Sequence, residues 1–209
     1  MSIVLVGSTS GSCTLQEQAV AGNTVLTLPT TSGTILTTAS SGQIIPKAAL
    51  PTGSVLQVVS TYKSNVFSAS IGAGSTADVT GFSVSITPTS ASSKILIMTS
   101  FTMSSPIAAG AAILYRGSTA ISVGDAAGSR RQASTPSVSV TGDTNRGVPV
   151  SINYLDSPAT TSSVTYKIAL LNTEPSSTYT LYFNTSGSDT DAAYISRSAS
   201  SITVMEIAA

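Results

Sequence analysis

The sequence predicts an all-β protein, with a short N-terminal β-hairpin or shaft-like segment followed by an antiparallel, jelly-roll-like β-sandwich. Three observations predict it. Hydrophobic residues make up 41% of the chain and are dominated by β-branched types, which favour pleated, half-buried surfaces. Apolar and polar residues alternate in many short runs, the period of a strand with one buried face. No segment of helix length carries a 3.6-residue apolar period.

Residues 1–50 read as an N-terminal β segment and linker. "CTLQEQAV", "NTVLTL" and "GTILTT" are short β-type runs separated by Gly, Ser, Asn and Pro, and "SSGQIIPKAALPTGS" has the composition of a linker. The apolar set of the hairpin Thr24–Thr38 is Val25, Leu26, Leu28, Ile35 and Leu36. That is too little to enclose a core, and a lone two-stranded hairpin is marginal in water. Such a segment is either disordered or shares its core with another chain. The alternation and the low charge favour the shared core.

Residues 51–209 read as the sandwich. "SVLQVVSTYKS" and "NVFSASIG" open it, and "GFSVSITPTS" alternates cleanly through Phe82, Val84 and Ile86. "SKILIMTSFTMS" is nearly continuous in apolar residues, as expected of a strand buried on both faces. "GAAILYRGSTAISVG" predicts a hairpin turning at Arg116–Gly117–Ser118. "STPSVSVTG", "GVPVSINYLDS", "VTYKIALLN", "TYTLYFNTSG" and "SSITVMEIA" complete a set of eight to ten strands. The strongly apolar run from Ser201 is expected to be central in a sheet or to lie in a subunit contact, because an exposed edge invites aggregation.

Charge excludes several functions. Nine basic and nine acidic side chains cancel, and only 9% of residues are charged, against about 25% in a typical soluble domain. Nucleic acid and anionic membranes are captured by clustered Lys and Arg, so neither is an expected partner. The N-terminal "MSIVLVGSTSGS" has no basic region and too short an apolar run for a signal peptide. No run approaches the ~20 apolar residues of a membrane span, so no membrane insertion is expected.

The same inventory predicts no enzyme, no cofactor and no metal site. The chain has no His and one Cys. A Ser-His-Asp triad is therefore ruled out, and a thiol nucleophile would lack its usual base. Cys13 reads as a small filler in a thin β segment, and the lysines read as solvated strand-end charges. Asp189 and Asp191 in "SGSDTDAAY" suggest an Asx turn more than a calcium site, which needs ~6–8 oxygen ligands. Asn184–Thr185–Ser186 matches a glycosylation acceptor, a pattern frequent by chance. Arg130 and Arg131 form the one adjacent basic pair and read as a loop tip.

"TLQEQAVAGNTVLTLPTTSGTILTT" resembles a module common in tail-fibre and structural proteins of tailed bacteriophages, especially marine and cyanobacterial ones. Downstream, "GFSVSITPTSASSKILIM", "LYRGSTAISVGD", "YLDSPATTSSVTYKIAL" and "SASSITVMEIAA" are similar to the C-terminal β domain of the same class. The resemblance implies a homotrimer in which Val25, Leu26, Leu28, Ile35 and Leu36 of three copies face one axis. It implies a short tail fibre in the virion, assembled in the host cytoplasm. The N-terminal segment would anchor to other tail or baseplate proteins, and loops bearing Arg130, Arg131, Asp189, Asp191 and Tyr194 would face a host-surface glycan. A capsid decoration or head-fibre protein is the alternative, and a polysaccharide-degrading tailspike the second alternative.

Overall fold

The computed structural model describes residues 3–6, 12–15, 50–105, 110–140 and 142–209. The chain divides into two compact units, Met1–Ile44 and Ile45–Ala209. In the first, β1 (Ile3–Val6) pairs antiparallel with β2 (Ser12–Leu15), placing Leu5 opposite Cys13. The expected hairpin Thr24–Thr38, with the trimer-axis residues Val25, Leu26, Leu28, Ile35 and Leu36, lies outside the described residues.

The second unit is an antiparallel β-sandwich, and among the described residues it contains no helix. Its strands are β3 (Val55–Lys63), β4 (Phe67–Ile71), β5 (Thr76–Ile86), β6 (Lys94–Ser104), β7 (Gly110–Arg116), β8 (Thr119–Ile121), β9 (Val148–Asp156), β10 (Val164–Asn172), β11 (Tyr179–Phe183) and β12 (Ser200–Ile207). One sheet has the order β5-β10-β7-β8. The other has the order β3-β12-β6-β11-β4, with β9 on the far edge of β6. From β4 to β11 the chain passes back and forth between the sheets, so most connections stitch one to the other. The β7–β8 hairpin turns where the sequence places it, with Gly117 at φ 58° and Arg116 opposite Thr119.

Alternation builds the core. Phe82, Val84 and Ile86 of β5 are buried, as are Ile95, Ile97, Phe101 and Met103 of β6 and Ile202 and Val204 of β12. At the centre three rings meet across the sheets. Phe183 lies 5.0 Å from Phe82 and 5.3 Å from Phe101, and Phe82 meets Phe101 edge-on at 6.2 Å. Such offset and edge-to-face pairs add about 0.5–1.5 kcal/mol each beyond the area they bury.

Two polar clusters lock this core. Asp156 of β9 accepts from Arg116 Nη1 at 2.9 and 3.0 Å and from the Tyr166 hydroxyl at 2.7 Å. Arg116 and Tyr166 are register partners on β7 and β10, so a carboxylate of one sheet is held by two side chains of the other. Burial, and then the adjoining Asp156 carboxylate, pushes the Tyr166 phenol far above its usual range. The second cluster surrounds Glu206 of β12, which is fully buried. Its carboxylate accepts from Gln57 Nε2 at 2.6 Å and from the Thr89 amide and hydroxyl at 2.7 Å. Burial alone would raise its pKa, but the donors Thr89, Gln57 and Ser93 outweigh burial and hold it below its ordinary value.

Three expectations are corrected. "SKILIMTSFTMS" is buried on one face only, since Leu96 is half-buried and Met98 is exposed. Among its described residues "STPSVSVTG" forms no strand and makes one isolated bridge, Val138 to Gly110. Its side chains take the partners a strand would need: Thr135 Oγ1 accepts from the Ala112 amide and Ser134 Oγ from the Leu114 amide, each at 2.9 Å. Lys63 is buried, not a solvated charge, and donates to Asn65 Oδ1 at 2.8 Å.

Phe183→Ala should cost about 3–5 kcal/mol by the cavity it leaves, measured by urea unfolding of the full chain. Glu206 should also shape acid stability. Its folded pKa is depressed, so its contribution is fully present above the unfolded value of 4.5 and is lost as pH falls through the folded value. Glu206→Gln should flatten that acid limb in a melting-temperature series, and an unaltered limb would show that other carboxylates set it.

Candidate functional site

Between β11 and β12 the chain leaves the sheet in a loop, residues 184–199, whose feet are pinned by Asn184. This residue is fully buried and takes a positive φ of 62°, a conformation Asn tolerates better than most residues. Its Nδ2 donates to the Lys63 carbonyl at 2.9 Å and the Asn65 carbonyl at 3.3 Å, while its Oδ1 accepts from the Ser200 hydroxyl. Its backbone donates to Thr102 and accepts from Ser198. One side chain thus fills the break where β3 gives way to β4 and β11 to β12. The glycosylation pattern at Asn184–Thr185–Ser186 is thereby accounted for: all three residues are buried, and the carboxamide is held inside the sheet.

Asp189 organises the tip. Arg197 grips it with two parallel bonds, Nε to Oδ1 at 2.9 Å and Nη2 to Oδ2 at 2.8 Å, and Thr185 Oγ1 donates at 2.6 Å. The Arg197 guanidinium and then the Thr185 hydroxyl hold the Asp189 carboxyl below its usual range, and Asp189 in turn raises Arg197. Beside this pair a cleft of about 600 Å³ is lined by Asp189, Thr190, Asp191, Ala192, Ile195 and Arg197. Tyr194 stands on the same loop, 75% exposed.

The other sequence-selected residues lie elsewhere. Arg130 and Arg131 are exposed in the β8–β9 connection. The Arg131 guanidinium lies against Gly74 in the β4–β5 turn, where φ is 63° and any added Cβ would collide with it. Among the described residues no ion pair joins either arginine to Asp189 or Asp191. The structure therefore gathers Asp189, Asp191 and Tyr194 on one loop and separates them from the basic pair by partner. Arg197 does not stand out in the sequence, and Thr185 does so only through the glycosylation pattern. The available signal was an Arg eight positions after a loop Asp, a spacing without a periodic meaning.

The chemistry of this cleft is hydrogen bonding. Arg197 uses Nε–H and one Nη2–H on Asp189, leaving three of its five N–H donors. Two carboxylates against one guanidinium leave the cleft slightly acidic, which suits neutral polyols better than anions. A general acid needs a raised carboxyl pKa, whereas Arg197 and Thr185 hold the Asp189 carboxyl low. Among the described residues no three His, Cys, Asp or Glu side chains converge as metal ligands.

Asp189→Asn should loosen the tip while leaving the sandwich intact. Hydrogen exchange should speed up across residues 185–198 with strand protection unchanged, and unchanged exchange in that loop would show that the ion pair does not order it.

No protein-family model matches this chain, and no curated protein matches it. Among solved structures it is similar to the chain described as "Crystal structure of infectious bursal disease virus VP2 subviral particle", at 16% identity and a TM-score of 0.36. The match covers 73% of this chain and 38% of that one, so the chain spans well under half the length of that structure.

Proposed function

We propose that this chain is a structural virion protein of a tailed bacteriophage, acting as a short homotrimeric tail fibre. Residues 1–50 attach it to tail or baseplate proteins, and the sandwich meets the host surface. The observation that carries this reading is the run Thr14–Thr38, "TLQEQAVAGNTVLTLPTTSGTILTT", followed in order by four segments similar to the C-terminal domain of such fibres.

The geometry supports a binding role over chemistry. The downstream segments hold the locking residues of the sandwich, Arg116, Asp156, Tyr166, Thr89 and Glu206, so they are scaffold. The loop 184–199 is left to make contacts, with an exposed tyrosine beside a cleft of hydrogen-bonding groups. A neutral or weakly charged glycan matches that chemistry, since sugar hydroxyls pair with guanidinium, carboxylate and hydroxyl groups and sugar faces rest on aromatic rings.

Immunogold labelling and protein quantification on purified particles test the assignment. A few copies at the tail are expected. Hundreds of copies over the head would replace the fibre by a decoration or head-fibre role, and absence from the particle would end both. Tyr194→Ala should lower adsorption to host cells with particle assembly unchanged. Release of sugar from host polysaccharide by the purified chain would overturn the non-enzymatic reading.

A further inference from the structure

The two sheets treat their outer faces differently. On the four-stranded sheet, Ala111, Ile113 and Leu171 are covered by Val123 and Ala133 from the chain's own β8–β9 connection. The rest of that face carries charge, with Lys167 paired to Asp78 and set 5.7 Å over the Tyr115 ring. Among the described residues nothing comparable covers the central strands of the six-stranded sheet. Its register places Val58, Met205, Leu96 and Leu155 in one straight row across β3, β12, β6 and β9. The next row is Ser60, Thr203, Met98 and Asn153, and the third is Tyr62, Ser201, Ser100 and Ser151. All twelve side chains point away from the core, and none is charged. Val58 is 55% exposed, Tyr62 68%, Met98 43% and Leu155 52%. Among the described residues six large apolar side chains are exposed, and of these Tyr194 and the strand-end Val55 alone lie outside these rows.

We propose that this outer face of the six-stranded sheet is the surface through which copies of this chain associate, which rests on the multimeric reading given above and supplies its interface. Two observations select a second copy as the occupant. The first is charge: these twelve positions carry none, with Lys94 only in the flanking row, so the same face brought in by the other copies of the trimer meets no repulsion there and strands no ion, whereas a charged partner would find nothing to pair with. The second is area. Four strands at ~4.8 Å spacing and about six residues of ~3.4 Å cover on the order of 400 Å² in plan. Side-chain relief raises the accessible area above that plan figure, into the class of small interfaces below ~1,200 Å² in total. Across β12, β6 and β9 lies a shallow groove of about 380 Å³ edged by Met98 and Met205, shaped to take a side chain from the opposing copy. Thioether side chains adapt to such a seam better than branched ones.

Sedimentation of the full chain at micromolar concentration tests this. The wild type should be an oligomer, and Met98→Glu should weaken association on the order of 100-fold by burying an unpaired charge. Its circular dichroism should be unchanged, because the site is exposed in the single chain. Ser85→Glu, on the outer face of the other sheet, should keep the wild-type mass. Should Met98→Glu fail to fold, Leu155→Ser on the edge strand reads the same surface. In a Cys13→Ser, Met98→Cys chain a short bismaleimide should join two copies. An oligomer indifferent to Met98→Glu or Leu155→Ser, or a Met98→Cys chain that gives no joined dimer, would overturn this surface while leaving the multimeric reading. A wild-type monomer would overturn both. An oligomer absent from particles would remove the virion assignment alone.

Discussion

The sandwich depends on one buried carboxylate. Asp156 sits on β9, the edge of the six-stranded sheet, and is gripped by Arg116 and Tyr166 from the facing sheet. An ion pair this buried stabilises little relative to an apolar replacement, but breaking one partner costs about 3–5 kcal/mol because it leaves a charge without compensation. Its value is therefore geometric. Only one relative placement of β9, β7 and β10 satisfies both donors. In a chain with so few charges, competing pairings that would trap a wrong placement are scarce.

The same logic explains where the remaining charges go. Glu206 has no cation, yet stays ionised because Gln57, Thr89 and Ser93 surround it with donors. This draws the β5–β6 connection onto the sheet end, as Gln57 Nε2 also donates to the Thr87 carbonyl at 2.7 Å. Asn184 does the equivalent work without charge at the β11–β12 break. Each cluster closes a place where the strand ladder is interrupted and backbone groups would otherwise lack partners.

The strands were legible because burial on one face imposes a period of two, and β5 with Phe82, Val84 and Ile86 shows it plainly. β6 misled for a physical reason. Continuous apolar sequence signals contact on both faces, and among the described residues only one face of β6 is buried. "STPSVSVTG" misled because Ser and Thr hydroxyls can replace a ladder with side-chain bonds, as Ser134 and Thr135 do, and alternation is blind to that choice. The candidate loop was half legible: Asp189, Asp191 and Tyr194 stand out in a Gly/Ser stretch. Arg197 became visible only when the loop closed on itself.

The unequal outer faces extend this reasoning beyond the single chain. A sheet exposes its second face to water cheaply when that face is polar, and β5 and β10 comply through Ser83, Ser85, Asp78 and Lys167. The chain also has a device for covering apolar outer positions, since the β8–β9 connection lies over Ala111 and Ile113. That the described residues leave Val58 and Leu155 exposed, in line with the half-buried Met205 and Leu96, is therefore not a shortage of means. An aligned apolar row across neighbouring strands, with Met98 and Tyr62 beside it, concentrates exposed hydrocarbon in one patch instead of scattering it, and such a patch favours association over solubility. The absence of any charge within it removes the usual barrier to like meeting like. The feature that blurred the reading of β6 as a strand, too many apolar residues for one core, is the feature that gives this sheet a second face to bury.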